Sequence, residues 1–162
     1  GLRESLQAAS AARAQLIGLK YHPRLLAINI WVSTPYLDCD LTPLFLCKTV
    51  NTLGHHFGDA AHKGDFRHGD SVRGYVFTRS DGTGAAAVWT TEHEVEYGYK
   101  KGGALLAALP ADTRVYDIAG NRRTVSRDAA GHVLLSLAPA PLILRAASPD
   151  TLLESLAGAV VP

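Results

Sequence analysis

VRGYVFTRSDGTGAAAVWTT, residues 72–91, reads as two short β-prone runs, 72–79 and 85–91, split by Ser80-Asp81-Gly82-Thr83-Gly84. In the first run Tyr75 and Phe77 alternate with Val72 and Val76, with Arg73 and Arg79 at the flanks. The second is small and apolar with Trp89 as its one large residue, which suits a central strand. The pattern continues through a weaker run at 105–109 and through 113–118, 124–127, 132–137 and 142–145. Ala119-Gly120-Asn121 and Asp128-Ala129-Ala130-Gly131 separate the later runs. Short strands split by Gly, Asn and Asp at this spacing predict an antiparallel sandwich or barrel. Within it, 112–126 reads as a hairpin around Gly120-Asn121, and Val133, Leu135 and Leu137 alternate as a strand buried on one face should.

The segment before this sheet has another character. Residues 2–20 read as a helix with Leu2, Leu6, Ala9, Leu16 and Ile17 near one stripe, ended by Tyr21-His22-Pro23. Residues 25–32 are nearly continuous in apolar type, the habit of a parallel strand buried on both faces. A polar loop, 33–40, leads to a second helix with Thr42 as N-cap and Pro43 at its first position. Leu46, Val50, Leu53 and Phe57 form its apolar stripe, and Gly54 or Gly58 is the natural stop. Residues 58–70 are polar and glycine-rich and read as a connector, whereas Ser148-Pro149-Asp150 caps a short closing helix, 152–156. The fold class is therefore mainly β: an antiparallel β-sandwich preceded by a helix–strand–helix segment, α+β overall. The divisions expected are 1–65, 66–147 and 148–162.

Composition bounds the function classes. Apolar residues make up 47% and charged residues 19% of 162, which is a globular balance. A formal charge of +1 supplies no field to gather nucleic acid or an anionic membrane, and no apolar run reaches the ~18 residues of a membrane span. Cys39 and Cys47 do not make a disulfide framework. The chain begins at Gly1 and contains no methionine, so it is expected to come from a longer chain or a tagged product.

Several motifs together resemble the carboxy-terminal end of bacterial glycoside hydrolases built as a (β/α)8 barrel followed by a small β-sandwich. They are Ile28-Asn29-Ile30-Trp31, the helix ending Leu53-Gly54…Phe57-Gly58, Tyr75-Val76-Phe77, Ala87-Val88-Trp89, Val115-Tyr116-Asp117…Gly120-Asn121 and Pro141-Leu142-Ile143-Leu144, in that order. The resemblance implies that 1–65 is similar to the end of the barrel and that 66–147 is similar to the sandwich packed on it. It further implies that the catalytic carboxylate pair lies upstream of Gly1, so that the fragment itself does not catalyse. The partner implied is the upstream barrel of the same parent chain, and the location is extracellular or periplasmic if the parent degrades polysaccharide. Self-association through apolar surface at 25–32 or the first helix is a further expectation.

Trp31, at the end of the apolar strand, with Tyr36, Asp38 and Asp40 in the following loop, is the candidate substrate-binding group. An indole face suits a sugar ring, and a barrel's mouth is where sites are built. A core tryptophan followed by a polar loop is the plainer reading of the same residues. Glu92, Glu94 and Glu96 would share one face of a strand, as an acid–base cluster, a calcium site or a solvated edge. The seven histidines (His22, His55, His56, His62, His68, His93 and His132) fall in no zinc spacing and are expected to be solvated or capping. No cofactor or metal is expected, since the glycine pairs lie outside any phosphate-loop pattern. Carbohydrate is a candidate partner. A free-standing carbohydrate-binding module using Tyr75, Tyr97, Tyr99 and Tyr116, and a small self-contained hydrolase using the 92–96 run, are the alternative functions.

Overall fold

The computed structural model describes residues 2–21, 45–91 and 103–162. Two helices, α1 (Leu2–Tyr21) and α2 (Phe45–Phe57), precede the strands β1 (Ala61–His68), β2 (Val72–Thr78), β3 (Gly84–Thr90), β4 (Ala104–Ala107), β5 (Arg114–Tyr116), β6 (Arg122–Arg123), β7 (Val133–Ser136) and β8 (Leu142–Ala146); α3 (Pro149–Ala157) follows. Six strands form one sheet in the order β1-β2-β3-β8-β5-β6, and β4 pairs with β7 in a second. All of these pairings are antiparallel. The fold is strand-rich α+β, with helices leading into antiparallel sheet.

Strand periodicity sorts the core into two layers. From the large sheet, Val72, Val76, Ala86, Val88, Val115, Leu144 and Ala146 face Leu105 and Ala107 of β4, Val133 and Leu135 of β7, and Leu152 and Leu156 of α3. Their neighbours Tyr75, Phe77, Ala85, Ala87, Trp89 and Ile143 pack in a second cluster with Ala8, Ala12 and Leu16 of α1 and Leu46, Leu53 and Phe57 of α2. Helices therefore cover one face and the small sheet with α3 covers the other. Every residue of β3 is buried as a result.

Each helix carries its own signals. In α2, Leu46, Leu53 and Phe57 are buried, and so are Thr49, Thr52 and His56 beside them. The Gly58 N–H donates to the Gly54 carbonyl at 2.9 Å, and a Cβ on Gly58 would lie 2.5 Å from that oxygen, which makes Gly58 the stop. The Glu4 carboxylate of α1 accepts from the Phe45 N–H at 2.5 Å, so one helix anchors the start of the described part of the other. Ser148 caps α3 by accepting from the Thr151 N–H at 3.2 Å, with Pro149 in the first turn. The α1 stripe is shifted from the expected one: Ala8, Ala9, Ala11, Ala12 and Leu16 are buried, whereas Ile17 is 40% exposed. Alanines suffice there because the helix lies close to its neighbours, and a stripe sought in larger side chains misplaces the face.

Two strands depart from expectation. The 58–70 segment holds β1, which pairs with β2 along its length with an irregularity between His62 and Gly64. Only Phe66 of β1 is buried, so this is a polar edge strand held by backbone pairing, without the apolar alternation that marks a strand in sequence. The 124–127 run is not a ladder strand; pairing falls instead on Arg122 and Arg123, leaving Arg127 in an isolated bridge with Val133. The Arg127 guanidinium donates to the carbonyls of Leu109, Pro110 and Gly131, which fastens the segment by side chain instead of by ladder.

Three hairpins share one turn. Arg79 donates its N–H to the Thr83 carbonyl at 2.9 Å, Asp117 to Asn121 at 3.0 Å and Asp128 to His132 at 2.9 Å. The fourth position of each is Gly at positive φ, Gly82, Gly120 and Gly131. Asp117 and Asp128 each accept two loop N–H groups on Oδ1, which fixes the turns locally.

Two substitutions test the double cover. A Cβ on Gly74 would meet the Phe66 ring at 2.0 Å and the Ala87 carbonyl oxygen at 2.7 Å. Gly74→Ala should cost about 2–3 kcal/mol of unfolding free energy in urea melts. Phe57 is 0% exposed and meets Phe77 edge-on at 5.2 Å between ring centroids. Phe57→Ala should cost about 3–5 kcal/mol, and a loss under 1 kcal/mol would mean that α2 does not seal the sheet.

Candidate functional site: a histidine–arginine cleft

Tyr116 and Arg145 lie on the helical side of the sheet, at the end where that cover runs out. Alternation dictates this: Val115 and Leu144, their neighbours, enter the opposite core. The C-terminal turn of α2 brings His55 and His56 to the same place. Arg79 and Thr83 arrive from the β2–β3 turn, and Asp112 and Arg114 from the approach to β5. These residues, with Ala146 and Ala147, line a cleft of about 440 Å³.

His56 is 4% exposed, and its ring lies 4.8 Å from the Tyr116 ring and 5.0 Å from that of His55. Its Nδ1 is buried without a hydrogen-bond partner. Burial first, then the positive fields of His55, Arg145 and Arg79, push its pKa down to about 4. His56 is therefore a neutral imidazole at pH 7.

The three arginines are unequal. Arg79 is neutralised: it donates to both carboxylate oxygens of Asp59 at 2.9 and 3.2 Å and to Asp81 at 3.1 Å. Arg145 donates to the Thr83 hydroxyl at 3.0 Å, while its Nε is buried without a partner. Burial, reinforced by Arg79, lowers the Arg145 pKa from the ordinary arginine value, though the group stays charged. Arg114 is exposed. Asp112, the one carboxylate in the lining, accepts from the Ala147 N–H at 2.6 Å.

A larger, more apolar hollow of about 550 Å³ opens on the other side of β5, between Ser5 and Ala9 of α1, the Asp117–Asn121 turn and Pro139 and Pro141. Its lining includes one carboxylate, Asp117, already engaged by the loop N–H groups.

The substrate-binding residues expected from sequence, Trp31, Tyr36, Asp38 and Asp40, lie outside the described residues, as do Glu92, Glu94, Glu96, Tyr97, Tyr99, the apolar run 25–32, His22 and His93. Tyr75, offered as an exposed sugar-stacking ring, is 6% exposed and packs edge-on against Trp89 at 5.3 Å. It faces the helices, so it cannot present a ring face to a ligand. His68 caps α3 through its Nε2 and the Leu156 carbonyl at 2.8 Å, and His62 and His132 pair with Asp65 and Asp128. His56 alone among the described histidines is both buried and unsatisfied, contrary to the solvated or capping expectation. Adjacency to His55 concealed it, since two histidines about 100° apart on a helix give no motif while one of them faces the core. Among the described residues no group of three or more His, Cys, Asp and Glu could hold a metal ion.

The depressed His56 pKa links stability to acid. Tyr116 on β5, Arg145 on β8, Arg79 beyond β2, Arg114 and Asp112 face it from the sheet, and His55 flanks it on α2. Above pH 6.5 the group is neutral whether folded or unfolded, and it contributes nothing to the pH dependence. Between 6.5 and 4 the unfolded chain takes up a proton that the fold refuses, so stability falls as pH falls, by about 3 kcal/mol in all. Asp59, held low by the Ser80 hydroxyl and Arg79, also weakens the fold in acid, so the diagnostic quantity is a difference of slopes. His56→Phe keeps a ring beside Tyr116 and should flatten the loss of urea midpoint between pH 7 and 4.5; equal slopes would place His56 in solvent.

No family model matches the chain, and no curated protein matches it in sequence. Among solved structures, a family 39 glycoside hydrolase from the gut symbiont Bacteroides cellulosilyticus WH2 superposes with a TM-score of 0.63 at 17% identity over 87% of this chain. A GH51 arabinofuranosidase from Xanthomonas axonopodis pv. citri aligns over 57% of this chain and 24% of that one, at 18% identity and a TM-score of 0.29, too low to bear on the fold. This chain spans 30% of the length of the family 39 enzyme, and at this identity what the two share is a fold.

Proposed function

We propose that this chain is the non-catalytic carboxy-terminal portion of a glycoside hydrolase. In this reading α1 and α2, within 1–65, end a (β/α)8 barrel, 66–147 together with the start of β1 forms the accessory β-sandwich and 148–162 closes the chain. The supporting observation is that nearly the whole chain, 87%, superposes on under a third, 30%, of a family 39 glycoside hydrolase. Chemistry supports it as well. Hydrolysis of a glycosidic bond uses two carboxyl groups, about 5–5.5 Å or 6.5–9.5 Å apart, whereas each of the two hollows described has a single carboxylate in its lining. The role is mechanical: α1 and α2 join the barrel to the sandwich through the shared core, and the sandwich braces the barrel. The partner is the upstream barrel of the same parent chain.

Reading the coding sequence immediately upstream of Gly1 tests this directly, with about 250–300 residues of alternating strands and helices expected. The longer chain should hydrolyse aryl-glycosides, and residues 1–162 alone should neither hydrolyse them nor be retained on insoluble polysaccharide. Turnover by the purified 162-residue chain would overturn the proposal, and so would an upstream sequence without the barrel repeat. Retention on polysaccharide would favour a binding module instead.

A further inference from the structure

Three guanidinium groups line the His55–His56 cleft and three carboxylates, Asp59, Asp81 and Asp112, lie in or beside it, but the pairing between them is unequal. Of its three guanidinium groups only Arg79 has carboxylate partners among the described residues, Asp59 and Asp81. Asp112 spends an oxygen on the Ala147 N–H. Arg145 is half-buried with a hydroxyl, Thr83 Oγ1, as its hydrogen-bond acceptor among the described residues, and Arg114 is exposed beyond it. Asp81 and Asp59 act on Arg145 only at a distance, with the Thr83 hydroxyl between Arg145 and Asp81, and a guanidinium fork matches the geometry of a carboxylate or phosphate. Two further polar atoms behind the wall, Arg145 Nε and His56 Nδ1, are closed off from solvent and lack partners. Native folds keep few such atoms.

We propose that this cleft binds an oxyanion, the carboxylate or phosphate group of a small solute, paired with Arg145 and Arg114. Size agrees, because about 440 Å³ falls in the range of small-molecule sites and far exceeds the needs of a single water. Shape agrees too, because α2, the β2–β3 turn, β5 and β8 each contribute a wall, and the three arginines are held by three separate elements. This site is independent of the glycoside hydrolase reading: it requires no barrel and no sugar chemistry.

Isothermal titration of the 162-residue chain with inorganic phosphate and, separately, with sodium gluconate tests it at constant ionic strength against sodium chloride. Saturable binding of either anion, absent with chloride, is expected. Phosphate alone identifies a phosphate site, gluconate alone a carboxylate site, and both together a general oxyanion site. Arg114→Gln removes an exposed cation and should weaken binding by about ten-fold, the scale of one charge-assisted pair. Arg145→Gln should weaken it at least as much, and Arg67→Gln, on the exposed far edge of β1, should leave it unchanged. Because Arg145 is half-buried its variant can lose stability, so the Arg114 variant decides alone if that happens. No saturable heat with either anion overturns the proposal, as does an affinity that Arg114→Gln leaves intact or that Arg67→Gln reduces equally.

Discussion

Seven consecutive residues of β3, Gly84 to Thr90, are buried, in a strand that carries no charge. An antiparallel sheet usually leaves one face to water, and this one leaves neither in its middle. The constraint propagates outward. Tyr75, Phe77 and Trp89 on the helical side expose large apolar area unless α1 and α2 lie over them, and Val76, Val88 and Leu144 on the other side need β4, β7 and α3. At about 25 cal/mol per Å² of apolar surface, losing either cover removes several side chains' worth of stabilisation. That is comparable to the whole net stability of an ordinary domain. The amino-terminal helices are therefore part of the same cooperative core as the strands.

Where sequence and structure agree, the signal was apolar periodicity or turn chemistry. The runs around Tyr75, Ala87, Val133 and Ile143 became strands, and Gly82, Gly120 and Gly131 became the positive-φ corners between them. Ser148 and Pro149 capped the closing helix for reasons visible in three residues. The misses share a cause as well. β1 carries His62, Lys63, Asp65, Arg67 and His68, and pairs only because β2 offers it an edge, a tertiary fact with no local trace. β3 is as continuously apolar as 25–32, which lies outside the described residues, and it is antiparallel on both sides. Such a run reports cover on two faces; it does not report strand direction.

The cleft was far less legible than the fold. Its polar groups come from positions 55, 56, 79, 112, 114 and 145, which no local pattern links. One trace existed. In Leu142–Ala146 an arginine occupies a position that β periodicity assigns to the same face as Ile143. A charge on a core-facing position needs a partner, and asking what partner Arg145 has would have led to the cleft. Trp31, Tyr36, Asp38 and Asp40 follow from the resemblance to a barrel mouth and lie outside the described residues.

The double cover and the cleft depend on one helix. Phe57 and Leu53 of α2 seal the sheet, while His56, between them on the adjoining face, forms a wall of the cleft. The cleft therefore exists only when α2 is docked. Gly120 tightens the coupling: its φ of +83° favours glycine and a Cβ there would lie 3.0 Å from the Thr52 hydroxyl, so α2 rests directly on the turn that follows β5. By linkage, any solute that prefers the assembled cleft stabilises the docked helix by RT ln(1 + [L]/Kd), and through it the sheet beneath. Acid does the reverse at the same residue, because a proton on His56 puts a charge among Arg79, Arg145 and His55. Anion and proton thus act on one element from opposite directions, and the energy of each is read out in how firmly the helical layer holds β3 away from water.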